Sequence, residues 1–89
     1  MLRPGDCVLD IGAGPDYYWT DLALNMTHDD SSAHLVISND LRATSRPHQN
    51  NPFVVGDFME EQVRTNIALK MGERKLDTIL VDASPPYTG

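Results

Sequence analysis

The sequence predicts an α/β fold built on a parallel sheet. Short apolar runs, partly β-branched, alternate with segments whose apolar residues recur at helical spacing. Three of the four runs end in acids, Asp40, Asp57 and Asp82, and the first opens into a glycine turn at Gly12 and Gly14. With 89 residues and 40% apolar content the chain is one small globular unit whose buried surface only narrowly offsets its ordering entropy. No internal repeat and no linker divides it.

Taken in order, Leu2 to Asp6 is an exposed lead-in with a turn at Pro4-Gly5. Cys7, Val8, Leu9 and Ile11, broken only by Asp10, read as a strand covered on both faces. Asp16 to about Met26 is the first helix. Its stripe Trp19, Leu22, Ala23 and Met26 is expected to face the core, with Asp16 favoured by the dipole of the first turn. Thr27 to Ser32 is polar and reads as a loop. Ala33 to Asp40 is the second strand, and Arg42 to Pro52, bounded by Pro47 and Pro52, is an irregular crossover. Phe53-Val54-Val55 is a short third strand leading into Gly56-Asp57. From Glu60 to Met71, Val63, Ile67, Ala68 and Met71 share one helical face, and Gly72 stands where a stop belongs. Thr78 to Val81 is the fourth strand, ending at Asp82.

Charge and composition exclude several classes. A formal charge of −6, with seven basic residues scattered along the chain, argues against these residues binding nucleic acid on their own. No run is apolar enough to span a membrane, and the N-terminus lacks the apolar core of a signal peptide. The lone Cys7 has no disulfide partner, which fits buried filler in a reducing interior. His28 beside Asp29 and Asp30 reads as a solvated loop rather than a metal site, so no metal is expected.

The candidate site lies where these strands end. In an open parallel sheet, ligands sit outside the carboxyl ends of the strands, so the Gly12-Gly14 turn and the three acids should face one crevice. Glycine brings backbone N–H groups close to a ligand held at the next helix. An acid after the second strand can accept from ribose hydroxyls, and one after the third from an adenine amino group. The plainer alternative is that each acid is a strand-end or helix-capping residue.

Those residues resemble the FtsJ-type, S-adenosylmethionine-dependent methyltransferases that act on the ribose 2′-hydroxyl of ribosomal RNA. Leu2-Arg3-Pro4-Gly5-Asp6 resembles the family's lead-in, and Val8-Leu9-Asp10-Ile11-Gly12-Ala13-Gly14-Pro15 its first cofactor motif. Asp40-Leu41 resembles the ribose-binding acid and Gly56-Asp57-Phe58 the adenine-side motif. Leu76 to Asp82 with Thr88-Gly89 is similar to the segment carrying the catalytic aspartate, and the separations between the three acids are similar to the family's. The resemblance implies a partial Rossmann-like methyltransferase fold, with four strands visible and the rest missing, over residues 1–89. It implies S-adenosylmethionine as cofactor, held by Gly12, Ala13, Gly14, Pro15, Asp40 and Asp57, with Asp82 as the catalytic residue. Two departures stand out. Asp16-Tyr17-Tyr18-Trp19 follows Pro15 where the family has glycines before tryptophan, and Ser84-Pro85-Pro86-Tyr87 follows where it has Ala-Pro-Asn.

Of the family's two lysines, aspartate and glutamate, only the aspartate has a match, Asp82. The resemblance therefore implies the cofactor-binding half of an enzyme, inactive by itself, that meets ribosomal RNA of the large subunit through the complete protein. Three rivals compete with it. A non-catalytic remnant predicts no cofactor binding. An adenine-N6 methyltransferase carries a Pro-Pro-Tyr motif, but there the polar residue ends the strand, a place Asp82 holds here. A nicotinamide-cofactor domain places its acid roughly 20 positions on, nearer than Asp40 lies to Gly12. The long loop before the second strand resembles mitochondrial members, so mitochondria are the expected compartment, with nucleus, nucleolus or cytoplasm as alternatives.

Overall fold

The computed structural model describes residues 2–12, 18–29, 33–42 and 51–81, with Tyr18 and Trp19 described by their backbone. Four strands, β1 (Cys7–Ile11), β2 (Leu35–Asp40), β3 (Phe53–Val55) and β4 (Thr78–Val81), form one sheet in the order β3-β2-β1-β4. All pairings are parallel. Helix α1 (Tyr18–Thr27) follows β1 and helix α2 (Glu61–Met71) follows β3. Both strand-to-strand connections that contain helices are the crossovers that parallel pairing requires. The expected α/β fold with a parallel sheet is therefore the one observed.

The two faces of the sheet carry separate apolar cores. Leu9, Ile11, Ile37 and Val54 pack with Val63 and Ile67 of α2, while Val8 and Val36 pack with Ala23 of α1. Strand β1 is buried along its whole length because it lies inside the sheet with a helix-bearing layer on each face. Val8, Val36 and Ile37 are fully buried, each contributing about 1.5–3 kcal/mol of transfer free energy.

Several boundaries and faces depart from the sequence reading. Leu2 is not exposed; it packs against the α1-side core. The Pro4-Gly5 turn is present, closed by the Asp6 N–H donating to the Arg3 carbonyl at 3.1 Å. Strand β2 starts at Leu35, not Ala33, because its register begins at Cys7 opposite Leu35. Thr27 closes α1 rather than opening a loop: its hydroxyl donates back to the Ala23 carbonyl at 2.7 Å.

The face of α1 is also turned by about one residue from the apolar stripe. Thr20, Ala23 and Thr27 are buried, whereas Met26 is 44% exposed and Leu22 only half-buried. Polar partners decide this. Asp10 lies on the α1 face of β1, fully buried, and its Oδ2 accepts a 2.5 Å hydrogen bond from the Thr20 hydroxyl. On α2, Val63 and Ile67 are buried and Met71 half-buried, but Ala68 is exposed, one residue past Ile67 and rotated off the face. Gly72 does stop the helix, with φ +63° and its N–H on the Ala68 carbonyl at 3.2 Å.

Candidate cofactor crevice at the carboxyl ends of the strands

The strand register brings three of the expected site residues to one edge. Ile11 lies opposite Asn39 and Asp40 opposite Val55, so Gly12, Asp40 and the Gly56-Asp57 turn leave adjacent strands at nearly the same level. Gly12 has φ +73°, a conformation that glycine adopts without penalty, and it turns the chain out of β1. Its N–H donates to the Asn39 carbonyl at 2.8 Å, so the turn begins while still tied to β2.

Asp40 and Asp57 are half-buried. Asp40 Oδ1 accepts from the Arg42 N–H at 3.3 Å. Asp57 Oδ1 accepts from the Met59 N–H at 2.8 Å, and the Asp57 carbonyl accepts from Glu60 N–H at 2.9 Å, forming the turn that starts α2. Asp57 thus has a local turn-forming role beside any binding role. Ionised carboxylates offer acceptors only, and two of them at neighbouring strand ends suit a ligand that presents hydroxyl and amino donors, such as a nucleoside. The acceptor pair on this edge therefore fits the cofactor that the sequence resemblance implies. Ala13, Gly14, Pro15 and Asp82 lie outside the described residues, as do Asp16, Tyr17 and the Ser84 to Tyr87 motif.

The Gly56 turn is tightly determined. Its φ is +134°, and a Cβ there would stand 2.7 Å from Val63 Cγ2 of α2. Only glycine lets the chain pass this close to the helix while delivering Asp57 to the edge. A groove lined by Phe53, Val54, Val55, Asn66, Leu69 and Lys70 runs between β3 and α2 and includes none of Gly12, Asp40 or Asp57.

Sequence reasoning missed the polar residues inside the strands. Asn39 is fully buried, and its Nδ2 donates to the Val54 carbonyl at 2.9 Å and the Gly56 carbonyl at 3.0 Å. On the opposite face, Asn51 Nδ2 donates to Ser38 Oγ at 2.9 Å, and Ser38 Oγ lies 2.8 Å from Thr20 Oγ1. The single Thr20 proton goes to Asp10, so Ser38 is the donor to Thr20, and the chain of hydrogen bonds runs from Asn51 through Ser38 and Thr20 to the carboxylate. A signal was available: Asp10 interrupts one apolar run and Ser38-Asn39 close another before the strand-end acid, and a polar group buried in a strand requires partners.

Among the described residues no cluster of three or more His, Cys, Asp or Glu side chains is placed to hold a metal, and no helix is long and apolar enough to cross a membrane. His28 is exposed and its ring meets that of His34 at 5.5 Å between centroids.

Comparison with known families agrees with this arrangement of glycine turn and strand-end acids. The family model described as FtsJ-like methyltransferase matches residues 1–89. A match over the whole chain, on a parallel sheet that brings Gly12, Asp40 and Asp57 to one edge, shows that the chain belongs to the FtsJ-like methyltransferase family.

Proposed function

We propose that these residues form the S-adenosylmethionine-binding half of a methyltransferase that modifies the ribose 2′-hydroxyl of ribosomal RNA. The family is one of S-adenosylmethionine-dependent methyltransferases, which makes methyl transfer the reaction class. The observation that carries the cofactor reading is the placement of Gly12, Asp40 and Asp57 on adjacent ends of β1, β2 and β3. When bound, S-adenosylmethionine supplies a methyl group made electrophilic by its sulfonium. Asp40 would accept from the ribose hydroxyls and Asp57 from the adenine amino group, while the glycine exit at Gly12 would admit the ligand close to the backbone. Asp82, the match to the family's catalytic aspartate, would orient a cationic lysine beside the substrate hydroxyl, where positioning would account for much of the rate.

Residues 1–89 bind the cofactor without transferring the methyl group alone, since only Asp82 of the expected catalytic set has a match. With a net charge of −6 these residues are poorly suited to hold RNA by themselves. The RNA we propose as substrate is that of the large ribosomal subunit, and the compartment we propose is the mitochondrion.

Calorimetric titration of the protein with S-adenosylmethionine tests this reading. Each carboxylate hydrogen bond is worth about 1.5–3 kcal/mol, so Asp40→Ala and Asp57→Ala should each weaken binding by about 10- to 100-fold. Absence of binding to the unsubstituted protein would support the non-catalytic remnant instead. In the complete natural protein, Asp82→Ala should abolish 2′-O-methylation of ribosomal RNA, read by mass spectrometry of its nucleosides, while leaving cofactor affinity intact.

A further inference from the structure

We infer that Asn39 is a positioning residue of the cofactor crevice: its side chain fixes the Gly56-Asp57 turn against the strand end from which Gly12 and Asp40 leave. The inference rests on the cofactor reading for its ligand and on the following geometry for its substance. Asn39 lies on β2 between Ile11 of β1 and Val54 of β3. Its backbone carbonyl receives the Gly12 N–H at 2.8 Å, which anchors the first loop. Its side-chain Nδ2 donates to the Gly56 carbonyl at 3.0 Å, which anchors the third, and to the Val54 carbonyl at 2.9 Å. The next residue in the chain is Asp40, which carries the second loop, and the Asp40 carbonyl in turn takes the Gly56 N–H at 2.9 Å. One residue is thus bonded to, or adjacent to, every described loop that carries a predicted ligand group.

The identity of the side chain supports a positioning role. Asn39 is fully buried, and its Oδ1 has no hydrogen-bond partner among the described residues. A buried acceptor without a partner is unfavourable, and an apolar residue in this strand would avoid it. What asparagine adds is a pair of donors that reach two carbonyls, on the neighbouring strand and in the turn after it, from one planar amide. Asn51 provides the internal comparison. It is also buried and also donates twice, to the Val36 carbonyl at 2.7 Å and to Ser38 Oγ, yet its bonds are to β2 short of the crevice.

The test compares Asn39→Ala with Asn51→Ala in the protein, measuring thermal midpoint, S-adenosylmethionine affinity and the amide chemical shifts of Gly12, Asp40, Gly56 and Asp57. Both variants should lower the midpoint. Asn39→Ala alone should weaken binding by about tenfold or more, the equivalent of one lost hydrogen bond, and displace the Gly56 and Asp57 amide signals, while Gly12, bonded to the backbone carbonyl that alanine keeps, serves as the control. Asn39→Ser, which keeps one donor, should fall between it and the unsubstituted protein. Equal loss of affinity in the two alanine variants, or affinity within about twofold of the parent in Asn39→Ala, would overturn the positioning role. So would failure of both Asn39 variants to fold, which would make the residue a requirement of the sheet. If the parent protein binds no S-adenosylmethionine, the cofactor reading fails separately. The amide shifts of Gly56 and Asp57 still decide whether the Asn39 side chain holds that turn: they move in Asn39→Ala if it does and stay in place if it does not.

Discussion

Asp10 and Cys7 show how single buried groups are accommodated in β1. The Asp10 carboxylate is placed inside the fold at 0% exposure, a cost offset by the line of directed hydrogen bonds that reaches it through Thr20. This polar line, rather than apolar content, sets which face of α1 turns inward. Cys7 is also wholly buried, with its N–H on Asp77 Oδ2 at 2.8 Å. Burial pushes its thiol above the ordinary value of 9.0; Asp77 and Asp6 add to the rise, and the Arg74 guanidinium opposes it. A raised folded-state value means that the folded chain holds the proton more tightly than the unfolded one. Stability is therefore unaffected by this group below pH 9.0 and declines as pH rises beyond it. Urea midpoints measured on either side of that value should show the decline in the parent and a smaller one in Cys7→Ala. Iodoacetamide at neutral pH should label Cys7 only when the chain is unfolded.

At the scale of elements, turns position the site more than strands do. Gly56 and Gly72 both hold backbone conformations that disfavour side chains, with φ +134° and +63°. Strain of that kind costs about 1–3 kcal/mol for a non-glycine residue. The two differ in surroundings: nothing lies within 4 Å of a Cβ at Gly72, whereas one at Gly56 meets Val63 Cγ2 at 2.7 Å. Gly56→Ala should therefore be the more destabilising in denaturant titration, by a further 1–3 kcal/mol or so for the overpacking. It should also weaken cofactor binding, because the adjacent Asp57 moves with the turn, while Gly72→Ala should leave binding unchanged. Arg74 ties another junction together, donating to the Gly5 carbonyl at 2.7 Å and to the Ala33 carbonyl, so the lead-in, the approach to β2 and the approach to β4 are held by one guanidinium.

Over the whole molecule, the cover on the sheet is uneven. Helix α2 packs on β2 and β3, and α1 on β1 and β2. On β4, Thr78 and Leu80 turn to the α1 side and are half-buried, while Ile79 and Val81 face the other way at 54% and 61% exposure. Strand β4 is also an edge of the described sheet. An edge strand with exposed apolar side chains is a template for pairing with other chains. Ile79→Lys should reduce concentration-dependent self-association of the 89-residue chain, followed by analytical ultracentrifugation. Since Ile79 is already more than half exposed, stability should stay within about 0.5 kcal/mol of the parent.

Local pattern alone determined the strands Cys7–Ile11, Phe53–Val55 and Thr78–Val81, the glycine exit at Gly12, the helix stop at Gly72 and the candidate acids Asp40 and Asp57. Each is a near-neighbour property: apolar runs bounded by turn residues, or an acid directly after a strand. The tertiary structure decided the strand order, the inward faces of the helices and the part played by Asn39. Those depend on partners far along the chain, Thr20 reaching Asp10 and Asn39 reaching carbonyls on β3 and the turn after it. A side chain's burial and its hydrogen-bond partners are set by packing between elements, which no spacing within one element encodes.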